Sequence, residues 1–212
     1  MTAIQVENEA LAELLDKQAI AELVRLERFW RDRWEWERLA ACYTDDSRVK
    51  TTWFEGTGKE FTEASRVMAE RGRRSTHLIT PTIIRVNGDR ALSESLMEIH
   101  SRTAFDSVLG DAIMYGRFFS RVRRTPEGWR LTSFDGIYTK TVVTPVNPND
   151  TLPIDWEEMS RYRPSYQLWA YMLTRAGYAV TDTELGDDRP DLLEAFYRAA
   201  DHWLETGEMP GA

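Results

Sequence analysis

Cysteine is almost absent from this chain: Cys42 stands alone among 212 residues. An internal disulfide is therefore excluded, and the usage fits a reducing cytoplasm. Histidine is nearly as scarce. His77, His100 and His202 are scattered, with no HExxH pattern and no compact zinc spacing. No glycine-rich phosphate-binding fingerprint occurs. No apolar run approaches the roughly eighteen residues that a membrane span requires. The opening MTAIQVENEALAELLDK is acidic, with no basic region before an apolar core, so no signal peptide is expected. Positive charge is also in deficit: 27 Lys and Arg against 35 Asp and Glu leave a net charge of -8, which argues against a general nucleic-acid binder.

Aromatic residues are abundant, with eight each of Trp, Tyr and Phe. They suit an aromatic core, pocket or interface, and 212 residues can bury a substantial core in one domain with an appendage. The organising stretch runs from Glu22 to Phe54. Leu23, Leu26, Phe29 and Trp30 recur at helical spacing and predict one apolar face, with Asp32 at its end. Trp36, Leu39, Ala40 and Tyr43 predict a second, shorter helix, stopped and capped by Thr44-Asp45-Asp46. Residues 1–21 belong to the first helix or to a separate lead-in helix. Ser47–Gly56 reads as a strand. Lys59–Arg71 reads as a helix with Phe61, Ala64, Val67 and Met68 inward and Gly72 as terminator.

The period then changes. Arg73–Val86 is strand, with Pro81 marking a bulge or edge. Asn87-Gly88-Asp89 is a turn, and strands follow at Arg90–Thr103, Asp111–Arg124 and Trp129–Val143. Pro145, Pro148 and Pro153 mark a connector. Tyr166–Ala176 and Asp191–Leu204 read as helices that close a pocket, cover the sheet or meet another subunit.

The helix pair, Glu35 to Asp46, then Ser75-Thr76-His77-Leu78-Ile79, Asn87-Gly88-Asp89-Arg90-Ala91 and Gly128-Trp129-Arg130-Leu131 together resemble the SnoaL-like, scytalone dehydratase-like branch of the NTF2-like superfamily. The resemblance covers about residues 10–143. It implies an α+β cone: N-terminal helices on a strongly curved, mainly antiparallel sheet, with residues 1–143 as the domain and 144–212 as a helical extension. It also implies a homodimer or homotrimer acting on a small molecule. In dehydratase-like members an aspartate near the end of the first helix pairs with a strand histidine, positions that match Asp32 and His77. Such a carboxylate holds the imidazole tautomer, raises its basicity and stabilises the imidazolium. The chemistry is proton removal beside a carbonyl or activated ring, followed by loss of a leaving group or movement of a double bond, with no metal or redox cofactor. A structural hydrogen bond between helix and sheet is the plainer alternative.

His100 is a candidate proton donor or substrate contact by the same resemblance, although alternation also allows it to be a solvated or subunit-facing residue. Tyr43, Trp53, Tyr115 and Tyr138 are candidates to orient an aromatic or polyketide-like substrate, or are packing. Several elimination enzymes of the family carry an arginine near the end of the last strand. Here Ser133-Phe134-Asp135-Gly136 offers none, so Arg117 or Arg121 becomes the candidate for that charge. Arg71, Arg73 and Arg74 form a basic cluster that meets an anionic substrate or faces water. Cys42 reads as a buried thiol. The expected activity is that of a cofactor-independent dehydratase or isomerase. A polyketide cyclase and a non-catalytic ligand-binding or assembly protein are the alternatives.

Overall fold

The computed structural model describes residues 3–209. Helix α1 (Ala3–Asp32) is continuous, so the lead-in belongs to the first helix. Its buried stripe differs from the expected one. Ile20, Val24, Glu27, Arg28 and Arg31 face inward, whereas Phe29 is 48% exposed. Leu23 and Trp30 only flank the core. The helix ends in a Schellman arrangement: the Glu35 N–H reaches the Trp30 carbonyl at 2.9 Å and the Trp34 N–H reaches Arg31 at 3.2 Å. Trp34 takes the left-handed conformation (φ 62°) usually left to glycine or asparagine. Helix α2 (Trp36–Ala40) is a single turn. Thr44, Asp45 and Asp46 do not cap it. They lie in strand β1 (Tyr43–Thr51), where Asp46 pairs with Arg123 at 3.0 Å.

The expected single strand over Ser47–Gly56 is a hairpin. Strand β2 (Phe54–Gly56) folds back on β1 through Thr52-Trp53. Helix α3 (Gly58–Glu70) opens with a reciprocal capping box between Thr57 and Glu60 and ends before Gly72, whose φ is +78°. Gly58, Phe61, Thr62, Ser65 and Met68 are its buried residues. Strands β3 (Thr76–Ile79) and β4 (Ile83–Asn87) are separated around Pro81 and both pair antiparallel with β5 (Arg90–Phe105). Strands β6 (Val108–Thr125) and β7 (Gly128–Pro145) complete a long antiparallel ladder.

The α+β class holds, but the strongly curved cone does not. The sheet is open, running β2-β1-β7-β6-β5-β3, with β4 also on β5, and its two ends do not pair with each other. Strand β1 joins parallel to β7, and the end strands β2 and β3 are three and four residues long. Ends so short cannot close the sheet on itself. The pocket instead lies between one face and the helices.

Residues beyond the ladder cover both faces. After a turn of helix α4 (Trp156–Met159), helix α5 (Gln167–Arg175) packs into the main core with α1, α3 and the inner sheet face. Strand β8 (Leu185–Gly186) runs parallel to β7. Helix α6 (Pro190–Thr206) sets Ala200, Trp203 and Leu204 on Leu92, Phe119 and Ile137 of the outer face. Proline at its first position suits a helix start, because no internal hydrogen bond is lost there. Among the described residues no helix is long and apolar enough to cross a membrane.

Candidate active site

The Schellman turn fixes Asp32 in the last turn of α1, where the negative end of the helix dipole disfavours a carboxylate. Its partners compensate. Asp32 Oδ1 lies 2.6 Å from His77 Nδ1, and Oδ2 accepts the His77 backbone N–H at 2.7 Å. Burial pushes the Asp32 pKa up, but the hydrogen bonds from His77, with the positive charge of Arg28, outweigh it and hold it below the ordinary value. An ionised Asp32 accepts, so Nδ1 carries the proton and Nε2 presents a lone pair. Nε2 has no hydrogen-bond partner among the described residues, and His77 lines a cavity.

That cavity offers about 60 Å³ to the centre of a water molecule. Trp53, Phe61, Phe118, Phe134 and Tyr138 form much of its wall, and Trp169, Met172 and Leu173 of α5 add to it. The His77 side chain is 4% exposed. Burial, opposed by the Asp32 hydrogen bond but reinforced by the Arg31 and Arg28 charges, lowers its pKa to about 4. The expected rise in basicity is thus outweighed: Asp32 pushes upward and its surroundings win. At neutral pH the ring is a neutral base.

The expected candidates separate by sheet face. Trp53 and Tyr138 line the cavity, and the Tyr138 hydroxyl accepts the Thr52 N–H at 3.0 Å, holding the β1–β2 turn. Tyr43 is buried behind the wall and donates to Glu27 Oε1 at 2.6 Å. His100, Tyr115 and Arg117 are on the other face. Because His77 stands opposite Ile99, the residues of β5 that reach the cavity are Ile99 and Ser101, and His100 points away. His100 Nε2 meets Glu98 at 2.8 Å, Tyr115 lies 5.3 Å from the Lys140 ammonium, and Arg117 bridges Glu94 at 3.2 Å and Asp187 at 2.7 Å. Asp135 is buried off the cavity wall, accepts from Ser133 at 3.0 Å, and has its pKa raised by burial. Cys42 is buried as expected, and burial lifts its pKa to about 12.

The cations that the last strand does not supply come from α1. Arg28 and Arg31 both line the cavity. Arg28 is bound to Glu27 and sits 4.3 Å from the centre of the Phe134 ring. Arg31 donates to Ser75 Oγ at 3.1 Å and stands 3.9 Å from Asp32. Sequence reasoning passed over both residues, because it assigned the buried stripe to the apolar positions. One signal was available: Glu27, Arg28 and Arg31 follow Ile20 and Val24 at helical spacing. Among the described residues, no group of three or more His, Cys, Asp or Glu side chains is placed to hold a metal ion.

Fold and site together define an α+β pocket protein with an acid–histidine pair set into an aromatic, arginine-bearing cavity. The SnoaL-like domain family matches residues 12–135, more than half of the sequence, and the chain belongs to that family. It is 26% identical over 205 residues to pea pathogenicity protein 2 of Fusarium vanettenii, covering 92% of this chain and 88% of that protein. Among solved structures it is similar to a protein provisionally assigned as a scytalone dehydratase from Novosphingobium aromaticivorans. There the TM-score is 0.52 at 21% identity, over 66% of this chain and 96% of the other. It is also similar to a hexachlorocyclohexane dehydrochlorinase of Novosphingobium barchaimii, with a TM-score of 0.55 at 17% identity, over 68% and 99%. At these identities the two structures show a likeness of fold.

Proposed function

We propose that this protein is a cofactor-independent lyase or isomerase acting on a small cyclic or aromatic carbonyl compound, with dehydration as the preferred reaction. The observation that carries this reading is the Asp32–His77 contact of 2.6 Å at the wall of an aromatic, arginine-bearing cavity. His77 Nε2 takes a proton from the carbon beside the carbonyl. The C–H electrons become a carbon–carbon double bond as the neighbouring C–O bond breaks, and the imidazolium returns its proton to the departing hydroxyl, so water leaves. In an isomerase the same proton returns to another carbon. Asp32 holds the tautomer and balances the imidazolium. The names of the two solved relatives denote losses of water and of hydrogen chloride, both eliminations, which agrees with this chemistry.

The test uses hydroxylated aromatic ketones and cyclic enones in deuterium oxide, with exchange at the acidic carbon followed by NMR. His77→Gln should slow exchange by roughly 100-fold or more, the usual worth of a positioned base. Asp32→Asn should slow it as well. A His77→Gln protein that exchanges at the wild-type rate would remove the dyad from the mechanism.

A further inference from the structure

The cavity wall has an unusual balance of charge. Four arginines, Arg28, Arg31, Arg73 and Arg74, line it, and no carboxylate does, in a chain that carries 35 acids. Only Arg28 is neutralised at close range, by Glu27 behind the wall. Asp32 gives both oxygens to His77, leaving Arg31 at 3.9 Å. The hydrogen bonds of Arg31 go to neutral atoms, Ser75 Oγ and, at 3.8 Å, Met68 Sδ. Arg73 and Arg74 form no ion pair among the described residues. Arg74 instead lies 4.3 Å from the Trp34 ring. A buried cation without close compensation is unfavourable unless a ligand supplies the opposite charge. Burial also lowers the Arg31 pKa to about 10, as expected for a desolvated cation with too little compensation.

We propose that the cavity takes a compact aromatic carboxylate, with its charge on Arg31, its ring against Trp53 and Phe118, and Arg73 and Arg74 drawing it in. The proposal rests on the catalytic reading above, since it names the substrate class for the same cavity. Guanidinium groups suit this role because their planar fork matches a carboxylate. Clustered arginines on an otherwise acidic protein also focus the field on the cavity.

The probes are 4-hydroxybenzoate and its neutral isostere 4-hydroxybenzamide, titrated into the full chain by calorimetry. The acid should bind at least 10-fold tighter than the amide. That preference should vanish in Arg31→Gln and persist in Arg31→Lys. Arg73→Gln combined with Arg74→Gln should weaken acid binding and flatten its salt dependence. Equal binding of both probes, binding of neither, or an undiminished preference in folded Arg31→Gln overturns the proposal. If Arg31→Gln does not fold, the comparison of acid with amide on the wild-type protein still decides. His77→Gln separates the two readings. With the preference kept and exchange unimpaired, the dyad falls and the anion site stands; with exchange lost and no preference in the wild type, the reverse holds.

Discussion

His77 is held neutral by its surroundings, and this ties folding to pH. In the unfolded chain the ring takes up a proton below its ordinary pKa near 6.5, whereas in the fold it does so only near 4. Between those values the unfolded state binds more protons, so stability is complete above about 6.5 and falls as the pH drops toward 4. The groups facing the ring from α1 are Asp32, Arg31 and Arg28; Asp32 narrows the window and the arginines widen it. Up to ~3 kcal/mol is at stake across the window. Denaturant midpoints measured from pH 7 to 4.5 should decline for the wild-type protein and decline less for His77→Gln. Parallel curves would mean that the ring is not held neutral. The same depression leaves His77 a weak base, suited to a carbon acid that an adjacent carbonyl has already made acidic.

Helix α3 shows how an element holds the site from behind. Gly58 opens it, and a Cβ there would stand 2.3 Å from the Tyr43 ring. That ring cannot yield freely, because its hydroxyl is bonded to the buried Glu27, which in turn holds Arg28. Gly58→Ala should therefore destabilise by ~1–3 kcal/mol, as overpacking does. It should also weaken 4-hydroxybenzoate binding through displacement of Arg28, and thermal unfolding with and without the acid reads both effects. A stable variant with unchanged binding would show that the ring moves without disturbing the ion pair. Elements also explain what could be read from the residues. Strands β5, β6 and β7 were legible because alternation is long there and Asn87-Gly88 and Glu127-Gly128 punctuate it. Asp32 and His77 were legible through their place in a familiar order of fragments. The inward face of α1 was not, since a reading based on apolar periodicity cannot place Glu27, Arg28 and Arg31 inside. The hairpin at Thr52-Trp53 has no glycine, proline or asparagine to announce it. The parallel union of β1 with β7 joins residues more than eighty positions apart, which no local pattern encodes.

At the scale of the whole molecule, the two C-terminal helices serve opposite faces of one sheet. Trp169 of α5 lines the cavity, whereas Trp203 of α6 is buried on the outer face against a separate apolar cluster. Trp203→Ala should lower stability by ~3–5 kcal/mol, the usual effect of truncating a buried tryptophan. Where the protein remains folded, the dissociation constant for 4-hydroxybenzoate should be unchanged. Trp169→Ala should instead change that constant. A shift in affinity from Trp203→Ala comparable to that from Trp169→Ala would mean that the faces are coupled through the sheet. The Asp32–His77 contact has one more consequence, and it concerns association between molecules. Strand β3 is an end strand, and exposed end strands are templates for adding another chain. The His77 amide on its outward side is already taken by Asp32 Oδ2. The carboxylate that bonds the His77 ring therefore also occupies an outward donor of this β-edge, so one side chain serves both the cavity wall and the end of the sheet.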